Sequence, residues 1–223
     1  QRTQRYGATV ILEGPDFETA YARAQNLCGQ RNCVFIHPFA DERVIAGQGT
    51  IGLELLDQAP EMESVVVPVG GGGLIAGMAL AIKQRRPEVR VCGVQTEAVP
   101  ALAQSFAQGQ PVAVEPQPTI AEGIAVGQPS EVTFGLIERV VDDIVTVTEA
   151  QIAAAMLDLL EDHKLVVEGA GAAPLAAVPQ LGERLGRQTV LLVSGGNVDV
   201  TTLGAVIDRG LAQAGRAVRQ IGR

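Results

Sequence analysis

Four consecutive glycines, Gly70, Gly71, Gly72 and Gly73, separate an apolar run from a helical pattern. Ahead of them, Ser64-Val65-Val66-Val67 has strong strand character. Behind them, residues 74–86 carry Leu74, Ile75, Met78, Ala79 and Ile82 at helical spacing. Four such residues in a row cost more backbone entropy than filler warrants. Without side chains their N–H groups can converge on one point, where the start of the helix adds partial positive charge. That combination makes a phosphate cradle. The competing reading is a tight turn that serves packing alone.

Strand and helix patterns alternate on either side of this turn. Strands are expected at residues 8–13, 33–36, 65–67, 89–97, 143–147 and 189–193, with 166–168 closing a further unit. Helices are expected at 16–30, capped by Asp16, and at 50–58, 74–86, 100–108, 131–140, 172–185 and 201–214. A capping box, Thr148-Glu149-Ala150-Gln151, opens another helix with Ile152, Ala155, Met156, Leu159 and Leu160 on one stripe. Residues 43–49 and 109–118 read as connections, and 119–126 as ordered but ambiguous. The strands are continuous apolar runs, which implies cover on both faces. The fold class is therefore α/β, an open parallel twisted sheet with helices on both faces. In such sheets ligands sit beyond the carboxyl ends of strands, where residues 70–73, Gln95, Glu97, Glu168 and Ser194 fall.

Charge and composition narrow the partners. The net charge of −8 argues against nucleic acid and against an anionic membrane surface. The longest apolar runs fall short of the roughly eighteen residues needed to span a bilayer. Cys28, Cys33 and Cys92 lack metal-ligand spacing and, with His37 and His163, make no zinc pattern. They read as reduced, mostly buried thiols of a cytoplasmic protein.

The individual candidates each admit two readings. Gly71-x-Gly73-x-x-Ala76 with the later Glu97 also fits a nicotinamide-dinucleotide fingerprint. Strands precede this motif, however, and that fingerprint leaves Glu168 and Ser194 without a role. Ser194, ahead of Gly195-Gly196-Asn197, could hydrogen-bond a heteroaromatic nitrogen or simply satisfy loop backbone. Glu168, in Glu168-Gly169-Ala170-Gly171-Ala172, either lines a site or caps the following helix. His37 before Pro38 reads as structural. Lys83, beside Arg85 and Arg86, reads as part of a solvated face, and Lys164 as a cation at a helix C-terminus.

Several blocks, in this order, resemble the fold-type II pyridoxal-phosphate enzymes and most closely the threonine and serine dehydratases. They are His37-Pro38-Phe39 with Val44-Ile45-Ala46-Gly47-Gln48-Gly49-Thr50; residues 70–73; Gly93-Val94-Gln95-Thr96-Glu97; and Thr119-Ile120-Ala121-Glu122-Gly123. Val141-Asp142-Asp143-Ile144, residues 168–172 and Ser194-Gly195-Gly196-Asn197-Val198-Asp199 complete the set. The resemblance implies pyridoxal 5'-phosphate as cofactor. Gly70, Gly71, Gly72, Gly73 and the N–H of Leu74 would hold its phosphate, Ser194 its pyridine nitrogen, and Glu168 would lie beside the ring. A hydroxyl on that nitrogen leaves the ring neutral, which suits β-elimination. The implied reaction takes L-threonine to 2-oxobutanoate and ammonia, and L-serine to pyruvate. The implied partners are a small amino-acid substrate and further copies of the chain, as a dimer or tetramer.

Two departures qualify the resemblance. The family's Schiff-base lysine lies in a Ser-Phe-Lys-x-Arg-Gly-Ala stretch followed by a Ser-x-Gly-Asn-His loop, and neither occurs in these residues. The expectation is that residues 1–41 are the end of a small domain and 42–223 most of the large cofactor domain. The stretch 209–219 would then be a linker, and no catalytic lysine would lie within the chain. A catalytically silent phosphate-binding remnant is the alternative. Relatives among the serine racemases hold a divalent metal where this chain has Gln95 and Ala101, so no metal is expected.

Overall fold

The computed structural model describes residues 2–14 and 17–213. The chain divides into two compact units, with the boundary between His37 and Pro38. The first unit holds helices α1 (Arg2–Arg5) and α2 (Phe17–Arg31). Asp16, the expected cap of α2, lies outside the described residues. The expected strands at 8–13 and 33–36 are irregular instead. A strand exists only where a neighbour takes up its backbone groups. The one sheet among the described residues is built entirely from residues of the second unit. Accordingly Leu12, Val34 and Ile36 are 91%, 78% and 70% exposed. His37 packs edge-on against Tyr21, with ring centres 5.4 Å apart, which suits its structural reading. Cys33 is exposed and Cys28 half-buried, so of the three thiols only Cys92 is buried as expected. Burial pushes the Cys92 thiol above its ordinary range.

The second unit carries α3 (Glu42–Gln58), β1 (Ser64–Pro68), α4 (Gly73–Arg85), β2 (Arg90–Thr96), α5 (Ala101–Gln108) and α6 (Glu131–Val140). β3 (Asp143–Val147), α7 (Glu149–Glu161), α8 (Gly169–Ala176), α9 (Val178–Leu181), β4 (Thr189–Leu191) and α10 (Val200–Gln213) follow. The four strands are parallel in the order β3-β2-β1-β4. Alternate residues supply two cores. Val65, Val67 and Val91 pack with α3, α4 and α6, whereas Val66, Cys92 and Val94 pack with α7 and α8. That is why the central strands read as unbroken apolar runs rather than alternating ones.

Three boundaries differ from expectation. α3 begins at Glu42, not at residue 50, so the stretch taken for a connection is helical. Asp41 caps it by accepting from the Arg43 N–H at 2.8 Å. The side-chain hydrogen bond from Arg43, together with its backbone amide, holds the Asp41 carboxyl down at about 2. The expected helix 172–185 starts earlier, as α8, and then breaks, because Pro179 lacks an N–H and instead sits in the first turn of α9. Residues 166–168 form no strand. The ambiguous stretch 119–126 is a loop around one 3-10 turn, Glu122–Ile124.

Candidate cofactor site

The glycine turn leaves the carboxyl end of β1, a central strand. The Val69 N–H still donates to Val94 O at 2.8 Å, which extends the pairing with β2 by one residue. Gly72 then takes a left-handed conformation, φ +89°, and becomes the N-cap of α4. A Cβ on Gly71 would lie 2.4 Å from the Phe39 ring, and one on Gly73 would lie 2.5 Å from the Phe39 carbonyl oxygen. On the other side a Cβ on Gly72 would meet Ile137 Cδ1 at 2.6 Å. The turn is thus walled in by Phe39 and by α6. Among the described residues the N–H groups of residues 70–74 donate to no protein acceptor. Five amide donors in one turn, unpaired and at a helix start, require an acceptor from outside the protein.

Glu168 stands at the N-cap of α8 without capping it. Its side chain accepts instead from the Asn197 N–H at 3.1 Å, while its own N–H donates to Gly195 O at 3.1 Å. These bonds tie the loop after β4 to the start of α8. Ser194 sits in that loop, past the carboxyl end of β4 and next to β1, since Leu192 N–H donates to Val66 O at 3.0 Å. Ser194 is exposed, and its hydroxyl has no hydrogen-bond partner among the described residues. Gly123 links the two halves. A Cβ on Gly70 would lie 3.0 Å from Ile124 Cα, and one on Gly123 would lie 3.4 Å from Glu168 Oε1. Thr119, Gly123, Glu168 and Asn197 line a cavity of about 140 Å³ between them.

Other residues singled out from the sequence lie elsewhere. Gln95 is fully buried inside β2 and accepts from the Ala103 N–H at 2.8 Å, so it supports α5. Glu97 lines a groove along the outer edge of the sheet with Asp143 and Arg184. Lys83 is not on a solvated face: its side chain is 17% exposed and its Nζ lies 2.8 Å from Asp142 Oδ2. Lys164 is exposed and donates to the Glu161 carbonyl, as expected of a cation at the end of α7. Phe39, Gly123 and Asn197 belong to the site although sequence reasoning gave them no role. All three stand inside the family-like blocks, and that was the one available signal, because their contacts join distant parts of the chain.

Comparison with known proteins agrees with this geometry. The family described as "Pyridoxal-phosphate dependent enzyme" matches residues 1–196. An L-threonine ammonia-lyase of Thermotoga maritima is 49% identical over 217 residues, covering 97% of this chain and 54% of that protein. An L-threonine ammonia-lyase of Geobacter sulfurreducens is likewise 49% identical, over 220 residues, with the same coverage. The chain thus spans about half the length of these curated relatives. Among solved structures, a T.th. threonine deaminase superposes with a TM-score of 0.83 at 42% identity, over 88% of this chain and 65% of that one. Maize serine racemase gives 0.85 at 33%, over 92% and 65%. These matches replace the nicotinamide-dinucleotide alternative. With the match running through both units and through the glycine turn, the chain belongs to the pyridoxal-phosphate-dependent enzyme family.

Proposed function

We propose that the chain forms the cofactor-binding part of a pyridoxal 5'-phosphate-dependent ammonia-lyase acting on L-threonine, with L-serine as a second substrate. The products are 2-oxobutanoate or pyruvate, with ammonia. The observation that carries this reading is the set of five unpaired amides at residues 70–74. They fit a phosphate monoester, which brings charge and several acceptor oxygens to one spot. The names of the relatives supply the substrate class. In this reading residues 1–41 are the end of a small domain and 42–223 most of the large one. The protein works in the cytoplasm as a homo-oligomer on a free amino acid.

When bound, pyridoxal 5'-phosphate supplies an electron sink that lets the α-proton leave and then the β-hydroxyl. The amides of Gly70, Gly71, Gly72, Gly73 and Leu74 anchor the phosphate. The Ser194 hydroxyl would hydrogen-bond the ring nitrogen as a neutral partner, which would leave no positive charge there. Glu168, tethered through Asn197 N–H, would lie beside the ring. Its orientation is fixed from the protein side before any ligand arrives, which lowers the cost of ordering the site.

The test measures pyridoxal 5'-phosphate binding to the chain by equilibrium dialysis, with inorganic phosphate as competitor. Wild type binds one equivalent and phosphate displaces it, whereas Gly71→Val abolishes binding. In the protein isolated from its natural host, 2-oxobutanoate forms from L-threonine, and Ser194→Ala slows its formation. Undiminished cofactor binding by Gly71→Val, or the absence of 2-oxobutanoate in the host protein, overturns the reading.

A further inference from the structure

The cavity beside Glu168 is bounded by the loop 119–124, and that loop is held from outside the site by a single carboxylate. Glu149, the first residue of α7, accepts three hydrogen bonds. Its Oε1 takes the Thr96 hydroxyl at 2.9 Å and the Thr119 hydroxyl at 2.6 Å. Its Oε2 takes the Ile120 N–H at 2.8 Å. Each threonine oxygen in turn accepts from a backbone N–H two residues on, Ala98 at 3.2 Å and Ala121 at 3.0 Å. With the backbone amides already donating to these oxygens, both hydroxyl protons point at Glu149. The carboxylate therefore faces three donors at once, from the end of β2 and from the loop. It stands in the first turn of α7, at the positive end of that helix.

The loop so held is wedged against the site on two sides. A Cβ on Gly169 would lie 2.4 Å from Ile120 O, so the loop rests on the start of α8. Its other end reaches the glycine turn, where Gly70 abuts Ile124 and the Gly123 carbonyl. We infer that Glu149 is a positioning residue that clamps the loop 119–124 between the glycine turn and Glu168. It thereby sets the wall against which the cofactor ring lies while touching no ligand itself. This rests on the cofactor reading above for its ligand, but the clamp itself can be observed without one.

An amide cannot replace the carboxylate, although it has the same shape. Turned one way, its NH₂ faces the Ile120 N–H; turned the other way, it faces two hydroxyls whose protons then lack an acceptor. The experiment compares wild type with Glu149→Gln and Thr119→Val, using Glu138→Gln, at an exposed position of α6, as control. Amide hydrogen exchange is followed by mass spectrometry, and binding of pyridoxal 5'-phosphate and of inorganic phosphate is titrated separately. In Glu149→Gln, amides 120–124 exchange about tenfold faster, on the scale of a lost charged hydrogen bond, while those of β1 and β2 do not change. Pyridoxal 5'-phosphate binds about tenfold more weakly, and inorganic phosphate, held by the turn alone, binds as in wild type. Thr119→Val, which removes one of the three bonds, moves the same two readouts in the same direction by a smaller factor, and it decides the matter should Glu149→Gln not fold. Unchanged exchange in 120–124, or an equal loss for both ligands, overturns the clamp. If wild type binds no pyridoxal 5'-phosphate, the cofactor reading fails, and the exchange data still decide the clamp.

Discussion

Gly71 and Gly73 both press on Phe39, yet a methyl group has different consequences at the two positions. At Gly71 it would strike the ring, a side chain that can be removed; at Gly73 it would strike the Phe39 carbonyl, which cannot. Overpacking of this kind costs about 1–3 kcal/mol. Gly71→Ala and Phe39→Ala should therefore couple in a double-mutant cycle, with the pair more stable than the sum of the singles predicts, whereas Gly73→Ala and Phe39→Ala should not. Urea unfolding midpoints provide the readout, and simple additivity for the Gly71 pair would contradict the contact. The turn between β1 and α4 was legible in the sequence because four glycines separate a strand pattern from a helix pattern there. Phe39 was not, because nothing in its local pattern says that it closes against a turn that lies beyond α3 and β1 along the chain.

The same ambiguity of glycine operates at the scale of elements. Residues 43–49, read as a connection, contain Gly47 and Gly49, and glycine weakens a helix. In the fold Gly49 and Gly52 lie inside α3 because α4 crosses there at backbone distance. A Cβ on Gly52 would lie 2.8 Å from Met78 O, and one on Gly77 would lie 2.1 Å from Ile45 O. Gly47, in contrast, has nothing within 4 Å of its missing Cβ. The two kinds of glycine should respond with opposite sign. Gly47→Ala removes backbone freedom from the unfolded chain and raises stability by about 0.5–1 kcal/mol. Gly77→Ala forces α3 and α4 apart and lowers the melting temperature by about 5–10 °C, at roughly 2–4 °C per kcal/mol for a chain of this size. Calorimetry on the two variants checks both signs; a stabilised Gly77→Ala would mean that the helices are not in backbone contact.

For the whole molecule, strands were legible where the parallel sheet buries both of their faces, as in β1 and β2, and at the half-buried edge strand β3, whose Val145 and Val147 face the core. They were misread at 8–13 and 33–36, where β-branched and apolar residues carry the pattern but no neighbouring strand among the described residues completes a ladder. Lysine placement also requires the folded molecule. The 223 residues contain two lysines, Lys83 and Lys164. Lys83 lies ten residues beyond Gly73 along α4, which is about 15 Å at 1.5 Å per residue. Its ammonium is engaged by Asp142 at 2.8 Å and donates to Pro87 O at 3.2 Å, so it is tied down at the end of α4 opposite the glycine turn. A covalent link to an aldehyde needs a neutral amine within reach of it. Lys164 is exposed at the far end of α7, bonded to a carbonyl of that helix. The 223 residues alone should therefore hold pyridoxal 5'-phosphate without a covalent bond. Dialysis against inorganic phosphate should remove all of it, and L-threonine should yield no 2-oxobutanoate. Borohydride reduction followed by peptide mapping should find no stoichiometric adduct at Lys83, and at Lys164 only labelling that rises in proportion to reagent without saturating. A saturable adduct at either lysine, accompanied by turnover, would show that one of them reaches the glycine turn and that its ion pair or helix-end bond opens when the cofactor arrives.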